Sequence, residues 1–108
     1  MINIDALNAK FRNREDRVKM LLKIFLDSHI DDSKELRAIR QRGDTNAMFQ
    51  ATHKIKGALA NLCADEETDL AIKLEKIARS GLMPEIDEVE NMASKLDAIH
   101  NQIKQYIQ

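Results

Sequence analysis

Apolar residues recur along most of the chain at intervals of three and four, which is the spacing of one buried stripe per helix. Ile4, Leu7 and Phe11 begin the pattern and predict a short helix over Ile4 to Phe11 that caps whatever follows. Val18, Leu21, Leu22, Phe25 and Leu26 come next, after Asn13, a good N-cap with Asp16 three residues on. Leu36 and Ile39 carry that stripe to Gly43, so the spacing predicts one long helix from Asn13 to Gly43. Between Asp27 and Glu35 Ile30 is the only large apolar residue, and a bend or a rotation of the buried face is expected there. Asp44 then caps a helix whose stripe is Met48, Ala51, Ile55, Leu59 and Leu62. Asp65, Glu66 and Glu67 suit the first turn of another, which buries Leu70, Leu74, Ile77 and Ala78 and stops at Gly81. Pro84 opens the last, with Ile86, Val89, Met92 or Ala93, Leu96, Ile99, Ile103 and Ile107 in line.

Four long single-striped helices joined by short loops imply antiparallel neighbours. The expected fold is all-α: an up-and-down antiparallel four-helix bundle with a short additional N-terminal helix, residues 1–108 forming a single domain. Single stripes are satisfied within one bundle and leave no obvious second apolar face, so a monomer is expected.

Composition narrows the class. With 108 residues, 44% apolar and 4% aromatic, three glycines and one proline, the chain suits one modest helical core and excludes a β-sandwich. A net charge of −1 offers no general attraction to nucleic acid or to an anionic membrane, and partners are expected to be read by shape. The longest apolar run, Met20 to Leu26, is interrupted by Lys23, and the first residues lack the basic and apolar regions of a signal peptide. The single cysteine, Cys63, excludes an intramolecular disulfide and a multi-cysteine zinc site, which makes a reducing cytoplasm the expected compartment.

One helix carries candidate chemistry. At about 100 degrees per residue, its apolar stripe lies about 160 to 240 degrees from His53, which therefore faces solvent. Phe49 and Gln50 precede His53 on that outward face by one turn and Asn46 by two, while Lys56 and Gly57 follow by one turn and Ala60 by two. Exposed helix positions usually carry long polar side chains, and a mid-helix glycine costs about 1 kcal/mol against alanine. Gly57 and Ala60 instead leave the histidine unshielded, so that another protein can bring its backbone close. A solvent-exposed imidazole, with an ordinary pKa of about 6.5, is mostly neutral near pH 7 and is a competent nucleophile for phosphorus. Phosphoryl transfer depends chiefly on positioning and on stabilising charge at the phosphoryl oxygens, and Lys56 is placed to offset that charge.

The run His53-Lys54-Ile55-Lys56-Gly57-Ala58-Leu59-Ala60-Asn61-Leu62 resembles the signature of histidine-containing phosphotransfer (HPt) domains, His-x-x-Lys-Gly followed by small and apolar positions. Phe25, Leu36, Gly43-Asp44, Leu74-Glu75, Arg79 and Gly81 resemble weaker landmarks of the family, so the likeness extends over nearly the whole chain. It implies that His53 is the phosphoacceptor, Lys56 the charge-stabilising neighbour and Gly57 the small position that admits the partner; Ala60, Phe49, Asn46 and Gln50 are expected to complete the access and docking face. The implied partners are receiver domains of response regulators, a hybrid sensor histidine kinase, or both. No cofactor of its own is implied, because the magnesium belongs to the receiver. Two departures stand out: Ala60 and Cys63 occupy positions where such domains often have glycine, and Thr52 replaces the usual alanine before the histidine.

Other chemistry has less support. His29 and His100 are expected at surface or boundary positions, and neither lies at ligand spacing from another His, Cys or paired carboxylate, so no metal is expected. Without a Gly-rich phosphate loop or a Gly-x-Ser-x-Gly elbow, the chain is not expected to act as an autonomous kinase or hydrolase. Two other readings remain: a helical adaptor that docks a receiver or helix bundle without carrying phosphate, and a detached phosphoacceptor domain of a chemotaxis-type kinase.

Overall fold

The computed structural model describes residues 1–108 as six helices: α1 (Ile4–Lys10), α2 (Glu15–His29), α3 (Asp32–Arg42), α4 (Thr45–Asn61), α5 (Asp65–Arg79) and α6 (Ile86–Tyr106). There are no strands. α2 and α3 together form one arm of the expected bundle, with α4, α5 and α6 as the other three and α1 as the short extra helix against α2. Residues 15–42 as helix would span about 42 Å at 1.5 Å per residue. The molecule is 42 Å long and 21 Å by 19 Å across, so α2 and α3 run end to end along its length.

The long helix expected from Asn13 to Gly43 is therefore two helices, separated at Ile30 and Asp31. Apolar support fails there, as the buried positions pass from Phe25 through His29 and Ser33 to Leu36. Asp31, Asp32 and Ser33 are poor helix-interior residues and suit a new first turn. Asn13 is also not the N-cap of α2. Arg12 and Asn13 both have positive φ, 55° and 60°, and form the turn out of α1, leaving Arg14 at the cap with no side-chain bond.

The remaining ends follow local chemistry. Gly43 takes the left-handed conformation that ends α3 (φ 69°), and Asp44 Oδ1 accepts the Ala47 N–H at 2.9 Å, so α4 is capped as expected. Asp65 is the first residue of α5, after a buried Ala64. Pro84 lies outside α6, in the connection: it is buried, its carbonyl accepts from Arg40 Nε at 3.2 Å, and extended Glu85 precedes the helix. Ile86, at the end of the bundle, is exposed rather than part of the buried stripe.

The core takes Val18, Leu22 and Phe25 from α2, Leu36 and Ile39 from α3, Met48, Ile55 and Leu59 from α4, Leu74 from α5, and Val89, Met92, Leu96, Ile99 and Ile103 from α6. Each fully buried Leu or Ile contributes about 1.5 to 3 kcal/mol relative to exposure. α4 packs along α5 more extensively than any other pair of helices. That hairpin carries His53. No helix of the chain is long and apolar enough to cross a membrane.

Candidate functional site

Burial of Met48, Ile55 and Leu59 fixes the rotation of α4 and turns His53 outward, with 61% of its side chain exposed. Thr52, the residue before it, is buried, and its hydroxyl donates to the Met48 carbonyl at 2.8 Å, so it needs no partner outside its own helix. Phe49, one turn earlier, is half-buried and stacks on the imidazole with ring centroids 5.9 Å apart.

The Nδ1 edge of the ring meets α5. His53 Nδ1 lies 2.9 Å from Glu75 Oε2, and Glu75 is only 5% exposed. Lys56 Nζ donates to the same carboxylate, 3.1 Å from Oε1 and 2.8 Å from Oε2, and Arg79 Nη2 approaches Oε1 at 3.7 Å. The Lys56 hydrogen bond holds the Glu75 carboxyl below the usual glutamate range; burial pushes the other way, and the bond from His53 adds to the lowering. Glu75 is thus an anion that accepts and cannot donate, so the imidazole proton sits on Nδ1. In the neutral ring Nε2 then carries the lone pair, and it has no hydrogen bond within the protein.

Of the residues predicted for the site, Gly57, Ala60, Asn46 and Gln50 are exposed on the His53 face. A Cβ built on Gly57 would meet nothing within 4 Å, so this glycine leaves open space beside the histidine and is not a close helix contact. Lys56 shares the Glu75 carboxylate with His53, and its ammonium is committed to it. Thr45, Asn46 and Phe49 of α4 line a shallow hollow with Ala78, Arg79 and Gly81 at the end of α5. Across α4, a groove of about 160 Å³ runs between Leu21, Ile24, Phe25 and His29 of α2 and Ala58 and Asn61 of α4. Ile24, on its lip, is 57% exposed, and Met20, 64% exposed, lines an adjoining hollow with Phe11, Leu21 and Ile24. Contrary to the expectation of no second apolar face, α2 therefore presents one.

The sequence reading missed Glu75 as a partner of His53. It lies four residues after buried Ala71 and three before buried Ala78, and a carboxylate on a buried stripe requires a nearby cation. His29 and His100 are not at the surface: they are 7% and 3% exposed, because the α2–α3 break and α6 bring them together beneath the groove. Glu67, read as a first-turn charge, is buried and takes the α-ammonium of Met1. No group of three or more His, Cys, Asp or Glu side chains has metal-binding geometry.

The family model described as Hpt domain matches residues 20–107. No curated protein and no solved structure matches the chain.

Proposed function

Because this chain belongs to the Hpt domain family, which serves in two-component phosphorelays, we propose that His53 accepts a phosphoryl group from the phospho-aspartate of a receiver domain and passes it to another receiver. The observation that carries this reading is the ring's arrangement: Nδ1 is bound to Glu75 while Nε2 is free, on the exposed side of α4 beside Gly57.

The Nε2 lone pair attacks phosphorus as the bond to the aspartyl oxygen breaks, and that electron pair leaves on the partner's carboxylate. Nε2 has no proton to lose, so the chain needs no general base. The ring becomes cationic as the N–P bond forms, and the Nδ1–H bond to Glu75 stabilises that charge where it develops. The reverse step returns the electron pair to Nε2 and restores the neutral ring. Lys56 balances the buried carboxylate and keeps positive charge within one turn of the phosphoryl oxygens. The receiver supplies the aspartate and its magnesium. Gly57 and Ala60 admit its backbone, the apolar face of α2 at Met20 and Ile24 seats it, and Asn46, Gln50 and Phe49 complete the contact face. We assign the chain to the cytoplasm, and to a monomeric state in which the exposed apolar face of α2 is left for the receiver.

The test is incubation of the purified chain with a panel of phosphorylated receiver domains, followed by mapping of the label. An acid-labile, alkali-stable phosphoramidate on His53 is expected. Stable docking of a receiver with no transfer would favour the adaptor reading, and label on His29 or His100 would remove the assignment of His53.

A further inference from the structure

The groove between α2 and α4 rests on a buried polar cluster that the phosphoryl chemistry does not use. At the α2–α3 break His29 Nδ1 lies 2.6 Å from Asp32 Oδ2, so a side-chain bond joins the last turn of one helix to the first turn of the next. The His29 ring stacks on Phe25 with centroids 4.6 Å apart, and Phe25 in turn contacts the His100 ring of α6 at 6.0 Å. Phe25 and His29 also line the groove. Phe25, one of the two rings that shape its wall, is thus packed against both His29 and His100.

His100 is 3% exposed, and its Nε2 is buried without a hydrogen-bond partner. A neutral imidazole tolerates that position with its unpaired nitrogen as an acceptor. An imidazolium would place a charged N–H there with nothing to receive it.

We propose that His100, acting through Phe25 and the His29–Asp32 bond, is a proton-operated latch: protonation of His100 opens the α2–α3 junction and loosens the α2 wall of the groove. The consequence for relay, weaker seating of a receiver in acid, rests on the docking reading above; the opening itself does not.

The charges acting on His100 are Asp32 from α3 and Asp97 from α6, which favour its protonated form, and His29 from α2 and Lys104 from α6, which oppose it; α5 contributes none of them. Burial, with His29 and Lys104 on its side, outweighs the two aspartates and pulls the imidazole below the ordinary histidine value of 6.5. The opened form therefore binds the proton more readily than the closed one. Closure is favoured fully above 6.5 and loses stability as pH falls from there towards the lowered value. Asp32 works in the opposite sense. Burial raises its carboxyl, with Glu35 adding to the rise, against His29 and against Lys54 from α4, so the closed form holds its proton more readily.

Hydrogen exchange of the full chain, compared as protection factors at about pH 7.5 and about pH 5.5, tests the latch without any partner. A several-fold loss of protection is expected across Leu21 to Leu36, with Leu70 to Ala78 unchanged. In His100→Leu the acid response should vanish. An even response over both regions, no response, or one that persists in His100→Leu overturns the proposal. If that variant does not fold, proton NMR of the unaltered chain decides: the His100 Cε1–H must titrate below 6.5 together with the Phe25 ring signals, and titration at or above that value overturns the latch. Failure of phosphoryl transfer with a positive exchange result would remove the relay reading and leave the latch standing.

Discussion

Two histidine–carboxylate pairs of nearly the same chemistry lie on opposite sides of α4, His53 with Glu75 and His29 with Asp32. In each, Nδ1 meets a carboxylate oxygen, at 2.9 Å and 2.6 Å respectively. Their exposure differs. In the first pair the histidine side chain is 61% exposed and the carboxylate 6%; in the second both are covered, at 9% and 12%. The carboxyls respond in opposite directions, Glu75 falling because Lys56 donates to it and Asp32 rising because burial outweighs its partner. A carboxylate orients an imidazole in either setting. Reactivity needs the second ring nitrogen in the open and a cation nearby that keeps the carboxylate charged.

The largest expected effect separates the pairs outright. His53→Gln should lose all acid-labile labelling with little change in melting temperature, because the exposed ring contributes little packing. His29→Gln should keep the labelling and lose about 1 to 3 kcal/mol of stability in denaturant melts. Label retained in His53→Gln would break the comparison. Next is Gly57→Gln, whose long side chain would hold the partner's backbone away. A displacement near 1 Å costs about a hundredfold in transfer rate. The open space beside Gly57 predicts that stability stays level or rises by up to about 1 kcal/mol, so a large fall in melting temperature would make it a packing residue.

A smaller effect tests the carboxylates. Glu75→Gln frees Lys56 and weakens the hold on the cationic ring, and stopped-flow transfer should slow by about tenfold. Asp32→Asn should leave transfer at neutral pH unchanged under saturating partner. The smallest is the pH dependence of melting on the acid side. Because Glu75 is lowered from 4.5, its stabilisation is present above 4.5 and is lost as pH falls through the lowered value; Glu75→Gln should remove that loss. Asp32, raised from 3.8, contributes stability in acid that disappears as pH rises through its folded value, so Asp32→Asn should change the curve in the opposite sense.

The exposed pair was half legible in the sequence and the buried one hardly at all. His53 could be placed by rotation alone, since the apolar residues of α4 are regular enough to define an outside. Its neighbours Gly57 and Ala60 stood out because they are the wrong residues for an exposed helix face. Glu75 required two stripes to be combined, and the helical period of α5 places it on the buried side beside Ala71 and Ala78. The His29–His100 cluster depends on how far the chain turns at Ile30 and Asp31, and periodicity contains no such angle. The thin apolar support between Asp27 and Glu35 marked the site of the break without indicating what would fill it. Asn13 failed as a cap for a similar reason: its αL conformation belongs to the turn out of α1, where asparagine is tolerated and a cap is not required.

The α4–α5 hairpin has a kinetic consequence. His53 and Glu75 are 22 residues apart, whereas Phe25 of α2 and His100 of α6 are 75 apart. Closing the shorter loop costs less chain entropy, and contacts of small sequence separation form early in folding. The His53–Glu75 pair should accordingly assemble ahead of the α2 wall proposed to seat the receiver. Substitutions that retune α2 towards a different receiver would then slow or speed late steps of folding while leaving the early hairpin, and the reaction it supports, undisturbed.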